Sequence, residues 1–181
     1  MYYRIAAQLN LNAGSIKKEA NLSQTLISGR PVKTDKLVLP WPFSLVHQRA
    51  EPLQMSDYYP HVKLMSDRLV ETLKSAGVDN LQLFEANIVN QDGDAKIPGY
   101  QVVNVLGLVS AADEKASKSR PLAHVRFFET LVLDETRTRG QLMFRLAESL
   151  NDVIIAAGVA KRVTDGQFVD VVVEQLGPQS P

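Results

Sequence analysis

The sequence predicts an α+β domain, in which a mainly antiparallel sheet carries two or three helices packed on one face. Three observations support this class. Short apolar blocks bounded by turn residues recur from residue 81 to residue 175, as strands do. Met65, Leu69, Val70, Leu73 and Ala76 form one apolar stripe at helical spacing. The chain has 181 residues, which suits one domain and buries about 70% of the surface an unfolded chain exposes.

Tyr2 to Leu9, rich in aromatic and aliphatic residues, reads as the first strand. Residues 10–35 are polar and punctuated by Gly14, Gly29 and Pro31, and read as a long loop with one short helix near Lys17–Ala20. Lys36–Leu39 and Ser44–Arg49 are apolar pieces on either side of Pro40-Trp41-Pro42, an extended corner with the only tryptophan packed inward. Ser66 N-caps a helix to Ala76, with Asp67 at its positive end and Gly77 to stop it.

Leu81–Val89 and Tyr100–Val109 flank the turn cluster Asn90-Gln91-Asp92-Gly93-Asp94 and read as an antiparallel pair. The polar segment Ser110–Pro121 precedes a strand from His124 to Asp134. Thr136–Gly140 turns into a segment over Gln141–Ala147. Val153–Ile155 is a short strand running into a helix over 156–164, and Asp165-Gly166 leads to the last strand, Phe168–Gln175. The expected organisation is therefore an N-terminal strand and irregular segment over 1–59 in the same domain as residues 60–176, with a frayed tail over 177–181.

Twenty basic and twenty acidic residues cancel, so the chain lacks the basic excess that phosphate neutralisation demands and no nucleic-acid partner is expected. Residues 1–60 carry seven Lys/Arg against four Asp/Glu, and residues 61–181 thirteen against sixteen, an asymmetry too small to name a partner. Without cysteine there is no disulfide, thiolate nucleophile or Cys-based metal site. The N-terminus lacks the pattern of a signal peptide, and no stretch approaches the ~18 apolar residues of a membrane helix. A cytoplasmic protein with no membrane role is the expectation.

No catalytic, cofactor or metal site is predicted. His47, His61 and His124 lack metal-ligand spacing. Asn90, Asp92 and Asp94 alternate as calcium ligands would, but Gly93 falls between them and Gln101 stands where a bidentate Glu is required. Asp134-Glu135 is an adjacent carboxylate pair at a strand end, pointing to opposite faces. Arg137, Arg139 and Arg145 form a loose basic group. Asn104 interrupts an apolar strand and needs hydrogen-bond partners, which suits an amide that ties strand to loop.

An ordered series runs through residues 60–168: Pro60, Ser66-Asp67-Arg68-Leu69, Tyr100-Gln101-Val102-Val103-Asn104-Val105-Leu106, Leu131-Val132-Leu133-Asp134, Phe144-Arg145-Leu146, Ile154-Ile155 and Gly166-Gln167-Phe168. Asp113 and Ser117 fall between the segments Tyr100–Leu106 and Leu131–Asp134. In order and spacing the series resembles a bacterial immunity-protein family of polymorphic toxin systems. The chain departs from that pattern at Phe84-Glu85-Ala86-Asn87, where a Phe-x-Pro-Val piece is usual, and at Ala156-Ala157, where a carboxylate is common. The resemblance implies a non-enzymatic cytoplasmic protein that binds a cognate toxin, encoded by an adjacent gene, and blocks it by stoichiometric occlusion. The alternatives are a structural or regulatory homodimer of the same fold, and an enzyme using Asp134, Glu135 and a histidine. The motifs read as scaffold. The residues expected to meet a partner are exposed groups in the loops between them: Tyr58, Tyr59, Asp113, Glu114, Arg137 and Arg139.

Overall fold

The computed structural model describes residues 1–8, 10, 13–18, 25–35, 37, 39–47, 53–90, 95–122 and 125–177. In chain order the strands are β1 (Tyr2–Ala7), β2 (Ser15–Lys18), β3 (Trp41–His47), β4 (Tyr58–Tyr59), β5 (Leu64–Ser66), β6 (Leu81–Asn90), β7 (Lys96–Ile97), β8 (Tyr100–Val105), β9 (Leu108–Val109), β10 (Lys118–Leu122), β11 (Val125–Thr130), β12 (Met143–Leu146), β13 (Ser149–Ala156) and β14 (Val171–Gln175). Helix α1 (Asp67–Ser75) follows β5, α2 (Ala157–Asp165) follows β13, and 3-10 turns span Thr25–Ile27 and Glu135–Thr138.

The α+β expectation is overturned. Strand accounts for 46% of the described residues against 16% helix, so the protein is mostly β and its sheets form a nearly closed barrel. One sheet has the order β14-β1-β13-β12-β9, and a seven-stranded sheet runs β2-β3-β6-β8-β5-β4 with β7 on β6. One seam is covalent: β8 leaves its sheet through Leu106-Gly107 and continues as β9 beside β12. Gly107 has φ +101°, a conformation that costs a side-chain-bearing residue strain. At the other seam, before β4 and β14, the Asp57 amide donates to the Val169 carbonyl (3.0 Å). β10 and β11 form a separate ribbon.

Most missed strands are short, or are broken in sequence by proline. The helix expected near Lys17 is instead strand β2, antiparallel to β3. Trp41 and Pro42 of the Pro-Trp-Pro corner already belong to β3, where Pro42 stands opposite Asn87 of the parallel β6. Pro121 sits in the two-stranded ribbon, where an edge tolerates it. The turn residues 91–94 and His124 lie outside the described residues, as does the side chain of His47.

Three apolar clusters follow from alternation along strands covered on both faces. In the first, Ile5, Val103, Val105, Met143, Val153 and Ile155 meet Leu69, Val70 and Leu73 of α1 and Val159, Ala160 and Val163 of α2. The opposite face of the seven-stranded sheet buries Trp41, stacked on Phe84 at 5.1 Å, with Phe43, Leu45, Leu64 and Val102. Beneath the other sheet lie Tyr2, Phe144, Leu146, Ile154 and Phe128.

Helix α1 begins as its sequence requires. Ser66 is extended (φ −64°, ψ 150°) and its Oγ accepts from the Leu69 amide. The same hydroxyl donates to the Asp57 carboxylate. Ser66→Ala is therefore expected to lower stability by about 1–2 kcal/mol, measured by urea unfolding, since it removes a cap and a buried hydrogen bond together. An unchanged midpoint would count against this cap. Asn104, wholly buried, donates to the Arg30 carbonyl (2.9 Å) and to Gln82 Oε1 (3.1 Å), tying strand β8 to the loop before β3.

Candidate partner-binding site

The loop residues expected to meet a partner divide sharply. Tyr58 and Tyr59 are not exposed. They form strand β4, antiparallel to β5, with 4% and 6% of their surfaces accessible. Burial pushes the Tyr58 hydroxyl up to about 12. The Tyr59 hydroxyl is occupied by the Gly14 carbonyl (3.1 Å) and the Ser56 amide (3.0 Å). Neither ring is offered to a partner.

Asp113 shapes its own turn, with Oδ1 accepting from the amides of Lys115 (3.0 Å) and Ala116 (3.1 Å). Glu114 is exposed and lies 3.8 Å from Arg126. Arg137 and Arg139 are also exposed, and one turn projects both. Asp134 caps that 3-10 turn: its carboxylate accepts from the Thr136 hydroxyl (2.6 Å) and amide (3.1 Å) and pairs with Arg137 Nε (2.9 Å). The Thr136 hydroxyl, ahead of its amide and the Arg137 charge, holds the Asp134 carboxyl below the usual carboxylate range.

Thr138 is the anchor. It is buried, hydrogen-bonded to the Tyr2 hydroxyl (2.9 Å) and the Glu135 carbonyl (2.8 Å). With Thr138 turned inward, its neighbours Arg137 and Arg139 face solvent. Arg139 holds a left-handed conformation (φ 52°) and Gly140 follows at φ 71°. A left-handed L-residue costs about 1–2 kcal/mol, which Asn or Gly would largely avoid.

Two open depressions meet at this turn and share Arg139 and Gln141. One, of about 540 Å³, has Asp79, Asn80, Gly107 and Leu142 in its wall. The other, of about 530 Å³, is bounded by Leu108, Ser110, Thr136 and Arg137. Leu108 and Leu142 are 44% and 39% exposed, so aliphatic surface flanks the guanidinium groups. Asn80 holds the corner beneath, donating to the carbonyls of Leu106 and Met143. Asp113 and Glu114 line neither depression. The contribution of Leu108 and Leu142 was missed from sequence, because apolar residues beside Gly107 and Gln141 read as ordinary strand positions.

Arg145 departs furthest from expectation. It does not join the surface arginines. It is 1% exposed, its Nη1 donates to the Leu150 carbonyl (2.7 Å), and its Nε has no partner among the described residues. Lys63, also buried and left-handed at φ 63°, donates to the Pro60 carbonyl (2.7 Å). Burial, then the charges of Arg145 and Lys18, lower the Lys63 amine to about 8.

The carboxylate pair proposed for acid–base chemistry is dispersed. Asp134 serves the turn, and Glu135 binds the N-terminal amine (2.9 Å). His61 sits instead against the Ile16 carbonyl at 3.2 Å. Among the described residues no three His, Asp or Glu side chains gather as metal ligands. No described helix is long and apolar enough to cross a membrane.

The motifs of the ordered series form scaffold: Ser66 and Asp134 cap, Asn104 ties, and the Phe168 ring packs so closely on Gly166 that a Cβ there would collide. No curated protein matches the chain. Residues 2–176 match the model described as an immunity protein family (Imm11).

Proposed function

Because the chain belongs to the immunity protein family Imm11, we propose that it binds a cognate protein toxin and neutralises it by occlusion, not by catalysis. The observation that carries this reading is the family match across residues 2–176. A binding role also suits the chemistry: a rigid turn presents two arginines between exposed leucines, while the carboxylates beside it are committed to the turn and the N-terminus. Arginine is enriched among the residues that dominate protein interfaces.

In this reading residues 1–59 and 60–176 act as one domain, and the toxin is the product of an adjacent gene in a polymorphic toxin system. The pair meets in the cytoplasm over about 1,600 Å² of buried surface, the size of a standard specific interface. Co-expression of the two genes should restore growth that the toxin alone abolishes. The purified proteins should elute as one equimolar complex by size exclusion with light scattering. Growth arrest despite co-expression, or a homodimer that ignores the toxin, would overturn the proposal.

A further inference from the structure

We infer that the groove formed by the two depressions at Arg139 is the toxin-binding surface, and that its occupant is a toxin segment with a carboxylate beside a bulky apolar side chain. This rests on the immunity reading above and adds the place and the chemistry of recognition.

Charge complementarity selects the occupant. Of the two cations, Arg137 is already held by Asp134, while Arg139 makes no hydrogen bond or ion pair among the described residues. Neither nearby carboxylate is free for it, because Asp134 is taken by Arg137 and Glu135 by the Met1 amine. Asp79 is the only acidic residue among the described residues of either lining, and it makes no ion pair with Arg139. An incoming carboxylate therefore meets an unspent guanidinium fork, whose planar geometry favours bidentate pairing.

The backbone supports the same conclusion. Arg139 is held in the left-handed region by a turn pinned at Thr138 and Asp134, at a position where glycine is less strained. Strain of this kind persists where the surrounding structure over-determines it, and it clusters at binding sites. Leu142 in one depression and Leu108 in the other provide apolar contact beside the shared Arg139, and both are among the few exposed large hydrophobic residues of the described chain. An aliphatic or aromatic side chain next to the incoming carboxylate would cover one of them.

The test uses the intact chain and the toxin domain encoded by the neighbouring gene, with affinity measured by titration calorimetry. Reversing both charges, Arg137→Glu with Arg139→Glu, should weaken binding by about 100-fold, as desolvated charge pairs do. Leu142→Ala should cost about 10-fold. Arg139→Gly is the control for folding: it should melt no lower than the wild type yet bind about 10-fold more weakly. Affinity of the wild type should fall with added salt, and a toxin Asp or Glu changed to Lys should restore binding to the Arg139→Glu variant. Double-reversal variants that bind within twofold of wild type would overturn the inference and leave the immunity reading standing. A wild type that neither binds nor protects would overturn both.

Discussion

Asp57→Ala is expected to lower the unfolding free energy by about 3–5 kcal/mol, among the largest effects of any single substitution in this chain. The residue joins three separate pieces of the fold. Its carboxylate accepts from the Ser66 hydroxyl at the start of α1, from the Val169 amide (2.7 Å) before β14, and from Arg68 Nη2 (2.7 Å). Its backbone adds the amide bond to the Val169 carbonyl and accepts from the Ser66 amide (2.9 Å). Removing the side chain leaves the Val169 amide and the Ser66 hydroxyl unsatisfied in a poorly hydrated place, at about 1–3 kcal/mol each. The Arg68 pair adds less, since that guanidinium is half exposed and screened. Asp57→Asn keeps an acceptor and should cost roughly half as much. Urea unfolding of both variants, with Ser66→Ala and the double variant as a cycle, checks the assignment. Strict additivity of Asp57→Ala and Ser66→Ala would show that the two side chains act independently, against the shared hydrogen bond.

Lys63→Met is expected to act in the other direction. The Lys63 amine is lowered from 10.5 to about 8, first by burial and then by the charges of Arg145 and Lys18. A folded-state value below the unfolded one means that the unfolded chain binds the proton more tightly. Below about pH 8 Lys63 is charged in both states and the folded state bears the full penalty. The penalty is relieved as pH rises from about 8 towards 10.5. The shift corresponds to about 3 kcal/mol at neutral pH, and about 1 kcal/mol is returned when methionine leaves the Pro60 carbonyl without its donor. Lys63→Met should therefore stabilise the protein by roughly 2 kcal/mol at pH 6.5, with the gain shrinking at pH 9.5. Tyr58 does not disturb the comparison, because burial raises its hydroxyl to about 12 and it stays protonated in the folded state. Denaturant unfolding at both pH values reads the effect. A variant that is less stable at pH 6.5, or whose advantage is the same at both, would refute the account.

Both residues illustrate where sequence reading reaches its limit. Ser66 was legible as a cap because capping is a local event within four residues. Asn104 was legible as a tie, since an amide inside an apolar strand must find partners. Tyr58 and Tyr59 were misread because Ser56, Asp57 and Pro60 give their surroundings the composition of a loop, and a two-residue strand has no period to detect. Arg145 was misread for a different reason. Alternation along Phe144-Arg145-Leu146 places the arginine opposite a core face, but that opposite face is covered too. The α+β class fails for a related reason: β2, β4, β5, β7 and β10 are only two to five residues long, and β10 contains Pro121, so none of them shows a strand period in the sequence.

Of the candidate site, the sequence alone singled out Arg137 and Arg139 as exposed turn residues and identified the family through capping, strand-core and turn motifs. These are properties of neighbouring residues, which a linear pattern records directly. Tertiary structure alone decided that β8 passes through Gly107 into the opposite sheet and that Lys63 and Arg145 are both buried. It also decided that Leu142 and Leu108 line two depressions that share Arg139. Each of those outcomes depends on which segments far apart in the chain cover one another as the barrel closes, and no local period carries that information.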